Sequence, residues 1–467
     1  MIKDMTEGSP LKHIIWFSIP LLIGNIFQQL YNVADIVIVG RTLGMKALAA
    51  VGAISPIFFF IMFIVIGLTS GFAVITGQRF GAKDTQGVRR SVTVSAVLST
   101  GITVFCSVFL AIFMNQALVW MNVPQEIRQD AFWYIQIVVA GLIVMNAYNL
   151  LSSIIRALGD SKTPLYFLIF ASVLNVFLAL LFILKFHWGV PGSAIAVVVS
   201  ELVSVLMCVV YVKLKFPILH LRRADWTYAF KKESLSFAYE HLKVGVPMAL
   251  QSSILGVGIL IIQSVCNTFG ADVIAAFTAA LRIEQIATMP MISFGIALAA
   301  YTAQNFGAYN FSRIREGVNK GSLINITLSV VMTLIIHFFG SDIVGLFIGR
   351  SETHIIEIAR SYLWISTLFY FFLGQIFIFR NALQGMGEAM MPLWSSIAEL
   401  LVRSFAAVYL AVKFGYFGIF YAGPIAWISA AVILAAGYYI NLFGIVKKAH
   451  ANFRLQKKLK KEFNLSV

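Results

Sequence analysis

The chain has 467 residues, 60% of them apolar and only 12% charged, about half the charge of a typical soluble domain. With a mean hydropathy of +0.87, that composition excludes a soluble enzyme, a disulfide-stapled secreted scaffold and a disordered chain. Thirty-five Lys and Arg against 20 Asp and Glu give a formal charge of +15, which in a membrane chain reads as an orientation signal rather than a nucleic-acid surface.

The apolar residues come in continuous runs of about twenty or more, long enough to cross roughly 30 Å of hydrocarbon as a helix. Alternating ten-residue segments, the mark of a membrane barrel, are absent. The runs predict twelve spans, at 14–39, 48–76, 91–113, 131–153, 164–185, 190–212, 243–265, 274–301, 322–340, 358–380, 392–413 and 418–443. A basic connector at 213–242 separates two sets of six. The expected organisation is therefore a first lobe over 1–212, a cytoplasmic linker over 213–242, a second lobe over 243–445 and a basic tail over 446–467. That tail is amphipathic enough to lie on the inner leaflet, and a plain solvated tail fits equally well.

The termini and even-numbered loops hold 26 of the basic residues and the odd-numbered loops only 7. Basic loops stay in the cytoplasm, so both termini are expected there, in a multi-pass protein of the plasma (inner) membrane. Cys106, Cys208 and Cys266 all fall inside apolar runs and read as small packing residues. The first apolar run is too long, and lacks the small-residue site, for a cleavable signal.

The chain repeats itself at an offset of 226 to 229. Thr76–Asp84 (TGQRFGAKD) matches Thr302–Asn310 (TAQNFGAYN), Pro20 matches Pro247, and Leu158–Leu165 (LGDSKTPL) matches Met386–Leu393 (MGEAMMPL). Three matches in register indicate an internal duplication. Each repeat holds an even number of spans, so the halves are parallel. Such folds bind substrate and ion near the midplane and rock between two access states. Transport is thus the expectation. Gly81 and Gly307 read as tight turns, either plain helix ends or parts of a gate. Pro20 and Pro247 remove a helix donor and kink their spans, as fixed bends or as hinges.

An ionisable group at bilayer depth costs about 2.5–3.5 kcal/mol on insertion scales. Asp35, Glu201, Arg282, Glu284, Glu399 and Arg403 fall inside the spans. Gln28, Tyr31, Asn32 and Asp35 share one helical face, a polar stripe suited to a wet cleft. The duplicated position of Asp35 is Ile261 or Ile262, so the scaffold does not require an acid there. Glu399 and Arg403, at i and i+4, can neutralise each other. Glu284 and Glu201 are candidates to touch substrate. His187 and His337 sit near span ends and read as interfacial. No nucleotide-binding loop, metal-ligand spacing or nucleophile motif occurs. No enzyme activity and no cofactor are expected, and an ion gradient is the expected energy source.

Two six-span repeats carrying ADIVIVGRTLG, TGQRFGAKD and RALGDSKTPL resemble the multidrug and toxic compound extrusion (MATE) family over about residues 10–445. The resemblance implies an all-α MATE-like fold and an H⁺- or Na⁺-coupled exporter of organic cations or other amphipathic toxic compounds. It also implies a monomer in the bilayer with no nucleic-acid partner. By the same resemblance Asp35 binds the coupling ion, with Tyr134, Asn149 and Asn175 in a polar cluster and Pro20 as the bend of the first span. A possible Na⁺ would sit at Asp35 and Asn175. Two departures matter: Ala179 stands where many relatives have Asp, and Val197 where they have Thr. Their loss weakens an Na⁺ site more than a protonation site, and Glu201 is placed to compensate. The chain looks closer to the DNA-damage-inducible protein F branch. A lipid-linked oligosaccharide flippase of the same superfamily and a membrane-embedded lipid enzyme are the alternative readings.

Overall fold

Hydrocarbon offers backbone N–H and C=O groups no partner, so a spanning segment must satisfy them internally as a helix. The computed structural model describes residues 3–349 and 351–462, with side chains for all of these except 259 and 445–462. Among the described residues there is no strand. The first half contains α1 (Pro10–Leu43), α2 (Met45–Gly81), α3 (Thr85–Trp120), α4 (Gln125–Ala157), α5 (Lys162–Leu180) and α6 (Gly189–Lys215). A short α7 (Arg223–Ala229) lies in the connector. The second half contains α8 (Leu235–Cys266), α9 (Ala271–Gly307), α10 (Phe311–Ile348), α11 (Thr353–Leu368), α12 (Tyr370–Gly385), α13 (Met390–Phe414) and α14 (Tyr416–Glu462). The side chains of the predicted amphipathic tail lie outside the described ones, as do residues 463–467 altogether.

Ten of these helices are long and apolar enough to cross a membrane, and the bent pair α11–α12 makes an eleventh. The remaining predicted span is α13, whose 25 residues include Glu399, Arg403 and Lys413. At 1.5 Å per residue it is about 37 Å long, enough to span. It packs along α14 and α8. The chain is thus an all-α, multi-pass membrane protein.

The tenth predicted span, 358–380, is not one straight helix. It breaks at Phe369 and turns by 53°. Carbonyls on both sides of the break accept from hydroxyls on α10: Ser329 Oγ donates to Tyr370 O at 3.0 Å and Thr333 Oγ1 to Thr367 O at 2.9 Å. A run of aromatic residues hides such a break from hydropathy. Arg380, which the span boundaries place at a helix end facing the cytoplasm, is instead buried inside α12. It lies 3.4 Å from Glu399, which also pairs with Arg403.

Helices α3–α6 pack mainly within the first half and α9–α14 mainly within the second, while α1, α2 and α8 divide between the two. The halves meet where α2 lies against α8 and α9, and where α1 lies against α9 and α10. Backbones approach closely there. A Cβ on Gly71 would stand 2.5 Å from the Cα of Gly245, so only glycine fits. At the α2 and α9 ends the contact is reciprocal. A Cβ on Gly81 would lie 1.8 Å from Gln304 O, and one on Gly307 would lie 1.8 Å from Gln78 O. The side-chain bonds repeat the exchange: Gln78 Nε2 donates to Gly385 O at 2.9 Å and Gln304 Nε2 to Ala157 O at 2.8 Å. Gly81 and Gly307 are therefore contact points between the halves, not only helix ends.

Residues 3–9 cross this same end. Lys3 N donates to Leu158 O in the first half at 3.3 Å. Met5 N donates to Gln304 Oε1 at 2.8 Å, and Asn305 Nδ2 to Met5 O at 3.1 Å, in the second. Arg313 reaches the carbonyls of Met5, Glu7 and Gly8. Met5 itself is buried in the core of the second half. The connector is docked at this end too. Asp225 of α7 pairs with Arg89 at 3.3 Å, and Arg90 lies 4.1 Å over the ring of Tyr228.

Candidate functional site

A cavity of about 440 Å³ opens between the halves, within the range of small-molecule sites. The helices α1, α2, α4, α5 and α6 supply most of its wall; α8, α9 and α12 close the other side. The contribution of α1 follows from its two faces. Ile19, Ile23, Ile26, Leu30 and Val33 are exposed on one. Pro20, Gly24, Asn25 and Gln28 line the cavity on the other. Asn25 Nδ2 donates to Ser293 Oγ across the halves at 3.1 Å.

Four of the residues singled out from sequence line this cavity: Pro20, Gln28, Asn149 and Glu201. Asn149 donates to Met145 O at 2.8 Å, one turn back on its own helix. Glu201 Oε2 is buried and has no hydrogen-bond partner among the described residues. Helix α1 runs unbroken through Pro20.

The other candidates lie off the lining. Asp35 is half-buried nearer the far end of α1, and Ser193 Oγ of α6 donates to its Oδ1 at 3.4 Å. Tyr31 stands one turn before it on α1, and Tyr134 is buried on α4. Tyr31 and Asn32 are on the same helix as Asp35, outside the cavity wall. Asn175 is 2% exposed and its Nδ2 has no partner. Ala179 is fully buried. Glu284 sits within the second half, where Tyr362 Oη donates to its Oε2 at 2.9 Å.

The carboxylates are therefore of two kinds. Glu399 is neutralised by two arginines. Asp35, Glu201 and Glu284 have no Lys, Arg or His within ion-pair distance among the described residues. No group of three or more His, Cys, Asp or Glu is placed to hold a metal among those residues. Around Asp35 the neighbouring groups are a hydroxyl and phenols.

Sequence reasoning missed one charged residue of the cavity. Arg156 lines it from the last turn of α4. The fourth apolar run ends at 153, which leaves Arg156 beyond the predicted span. The helix runs on to Ala157 and keeps Arg156 on the cavity wall. The repeat offset of 228 carried the signal, because it sets Arg156 against the neutral Gln384, which lines the same cavity.

The MatE family model matches the chain twice, over residues 20–181 and 247–410. The probable multidrug resistance protein YpnP of Bacillus subtilis is 32% identical over 394 residues, covering 84% of this chain and 86% of the relative. The probable multidrug resistance protein YoeA of the same organism is 28% identical over 447 residues, covering 94% and 95%. A solved structure described as the outward-facing conformation of a multidrug resistance MATE family transporter of the MOP superfamily aligns with a TM-score of 0.85 at 25% identity, covering 94% of this chain and 98% of that one. With the family matched in both halves of a two-bundle helical fold, the chain belongs to the MATE family of membrane transporters.

Proposed function

We propose that the protein is a secondary antiporter of the plasma membrane that exports amphipathic small molecules in exchange for H⁺ or Na⁺, with the proton favoured. The observation that carries the reading is the cavity between the halves. It is shut at one end by reciprocal contacts and holds Glu201 in its wall, with Asp35 farther along α1. The shut end carries residues 3–9 and the basic connector, and the excess of Lys and Arg supports reading it as the cytoplasmic end.

Alternating access follows from the duplication: the halves rock about the cavity and expose it to either side. Coupling requires that the ion bind the two states unequally. A carboxylate without a counter-ion does this for a proton, because its charged form is disfavoured wherever water is withdrawn. Asp35 takes the proton from outside, and its release inside readies the cavity for the next substrate.

The test is efflux of a fluorescent amphiphile from proteoliposomes with ΔpH and ΔNa⁺ imposed separately. Efflux driven by ΔpH alone, and abolished in Asp35→Asn, is the expected result. Transport by the variant at the wild-type rate would remove Asp35 from the mechanism, and transport driven only by ΔNa⁺ would exclude the proton.

A further inference from the structure

Arg156 is the unusual member of the cavity. Its guanidinium is held by two neutral hydroxyls on its own helix, with Nη1 donating to Ser152 Oγ and Nη2 to Ser153 Oγ, both at 2.8 Å. No carboxylate lies within ion-pair distance of it among the described residues. A guanidinium carries five N–H donors in a planar fork, so three remain beyond the two serines. The position near the helix C-terminus eases the burial of a cation, but it does not account for a guanidinium on a cavity wall.

The second half gives the contrast. The duplicate of Arg156 is Gln384, and the duplicate of Ser152 is Arg380. Arg380 lies one turn earlier, away from the cavity lining, and has Glu399 as counter-ion. The chain thus neutralises the arginine that packs inside a bundle and leaves unneutralised the one that faces the cavity. Glu201, on the same cavity wall, likewise has no Lys, Arg or His within ion-pair distance among the described residues. The rest of the lining is largely apolar, including Met62, Ile66, Leu165 and Ile296.

We propose that Arg156 is a specificity residue that receives the carboxylate or phosphate of a drug-sized amphiphile whose cationic and apolar parts lie toward Glu201 and the apolar wall. The preferred cargo is then a zwitterion rather than a simple organic cation. The assignment rests on the reading of this cavity as the substrate site. Its volume of about 440 Å³ fits one small molecule. The planar fork matches a carboxylate or phosphate edge, which a lysine meets only as a point charge.

The experiment uses rhodamine B, which carries a carboxylate and a delocalised cation, and its ethyl ester, which carries the cation alone. Binding of each to the purified full chain in phosphatidylcholine nanodiscs is read by fluorescence anisotropy. Wild type is expected to bind the acid at least about tenfold more tightly than Arg156→Gln does, while the ester binds both proteins alike. Arg156→Lys keeps part of the preference for the acid. Unchanged ester binding reports that the variants are folded. Equal weakening of both dyes, or wild-type binding of the ester as tight as that of the acid, overturns the proposal. Efflux from proteoliposomes is scored separately. Arg156-dependent binding without efflux counts against the antiporter and leaves Arg156 as an anion site. Efflux without Arg156-dependent binding does the reverse.

Discussion

Asp160, in the turn between α4 and α5, accepts hydrogen bonds from the backbones of Lys162 and Thr163 and from the hydroxyls of Thr163 and Tyr211. Burial alone would push its carboxyl up, but the donors gathered on it, Thr163's among them, outweigh that and hold it below the ordinary carboxylate range. A lowered pKa gives stability that is present above the unfolded value of about 3.9 and is lost as pH falls through the folded value. Asp160→Ala is expected to lose about 1–3 kcal/mol at neutral pH, read as a lower melting temperature in detergent. The gap to wild type should narrow once the pH drops below about 4. Glu399 is the second residue with a sharp expectation. Removing it leaves Arg380 and Arg403 buried without a counter-ion, at about 3–5 kcal/mol. Arg403→Ala should cost less, because Glu399 keeps Arg380. A melting temperature for Glu399→Ala equal to that of Arg403→Ala would show that the triad does not act as a unit. The i, i+4 pairing of Glu399 with Arg403 was readable from spacing. Arg380 and Arg156 were not, because hydropathy ends a span where the apolar run stops. The helix carries charged side chains for another turn wherever tertiary partners or a cavity receive them.

At the scale of elements, the spans themselves were legible because twenty apolar residues in hydrocarbon have no alternative to a helix. What hydropathy does not encode is a break whose freed carbonyls are met by another helix, as at Phe369, or a polar segment whose role is set by what it lies across. Residues 3–9 are of the second kind. They carry no periodicity, yet they join the α4–α5 turn of the first half to α9 and α10 of the second through Lys3, Met5 and Arg313. Arg313 is the anchor, since one guanidinium holds the carbonyls of Met5, Glu7 and Gly8 and Asn305 Oδ1 besides. A hydrogen bond to a charged group contributes about 1.5–3 kcal/mol. Arg313→Ala should therefore release the segment and speed hydrogen exchange at the amides of Lys3 and Met5 by at least about tenfold. Exchange unchanged in the variant would mean that Gln304 and Leu158 hold the segment without it.

For the whole molecule, the reciprocal contacts at Gln78, Gly81, Gln304 and Gly307 define which side of the cavity is shut, and the duplication explains why they come in pairs. The repeat was visible in sequence from TGQRFGAKD and TAQNFGAYN, but sequence alone left open whether those glycines end helices or seal a gate. The close approach makes them contact points between the halves as well as helix ends: no Cβ fits at 1.8 Å from a carbonyl oxygen. An exporter that rocks between two states must part these residues in every cycle. A Cβ on Gly77 would lie 3.2 Å from the Cβ of Ala303 across the same seam, close to the roughly 3.5–4.5 Å between Cβ atoms of a disulfide. The double variant Gly77→Cys/Ala303→Cys should therefore cross-link on oxidation and hold this end shut. Efflux should fall at least about tenfold and return with reductant, while each single variant ignores the oxidant. Dye binding from the opposite side should persist in the locked protein, because the cavity stays formed while only this end is closed. A cross-linked protein that still exports at the full rate would show that substrate does not leave the cytoplasm through this seam.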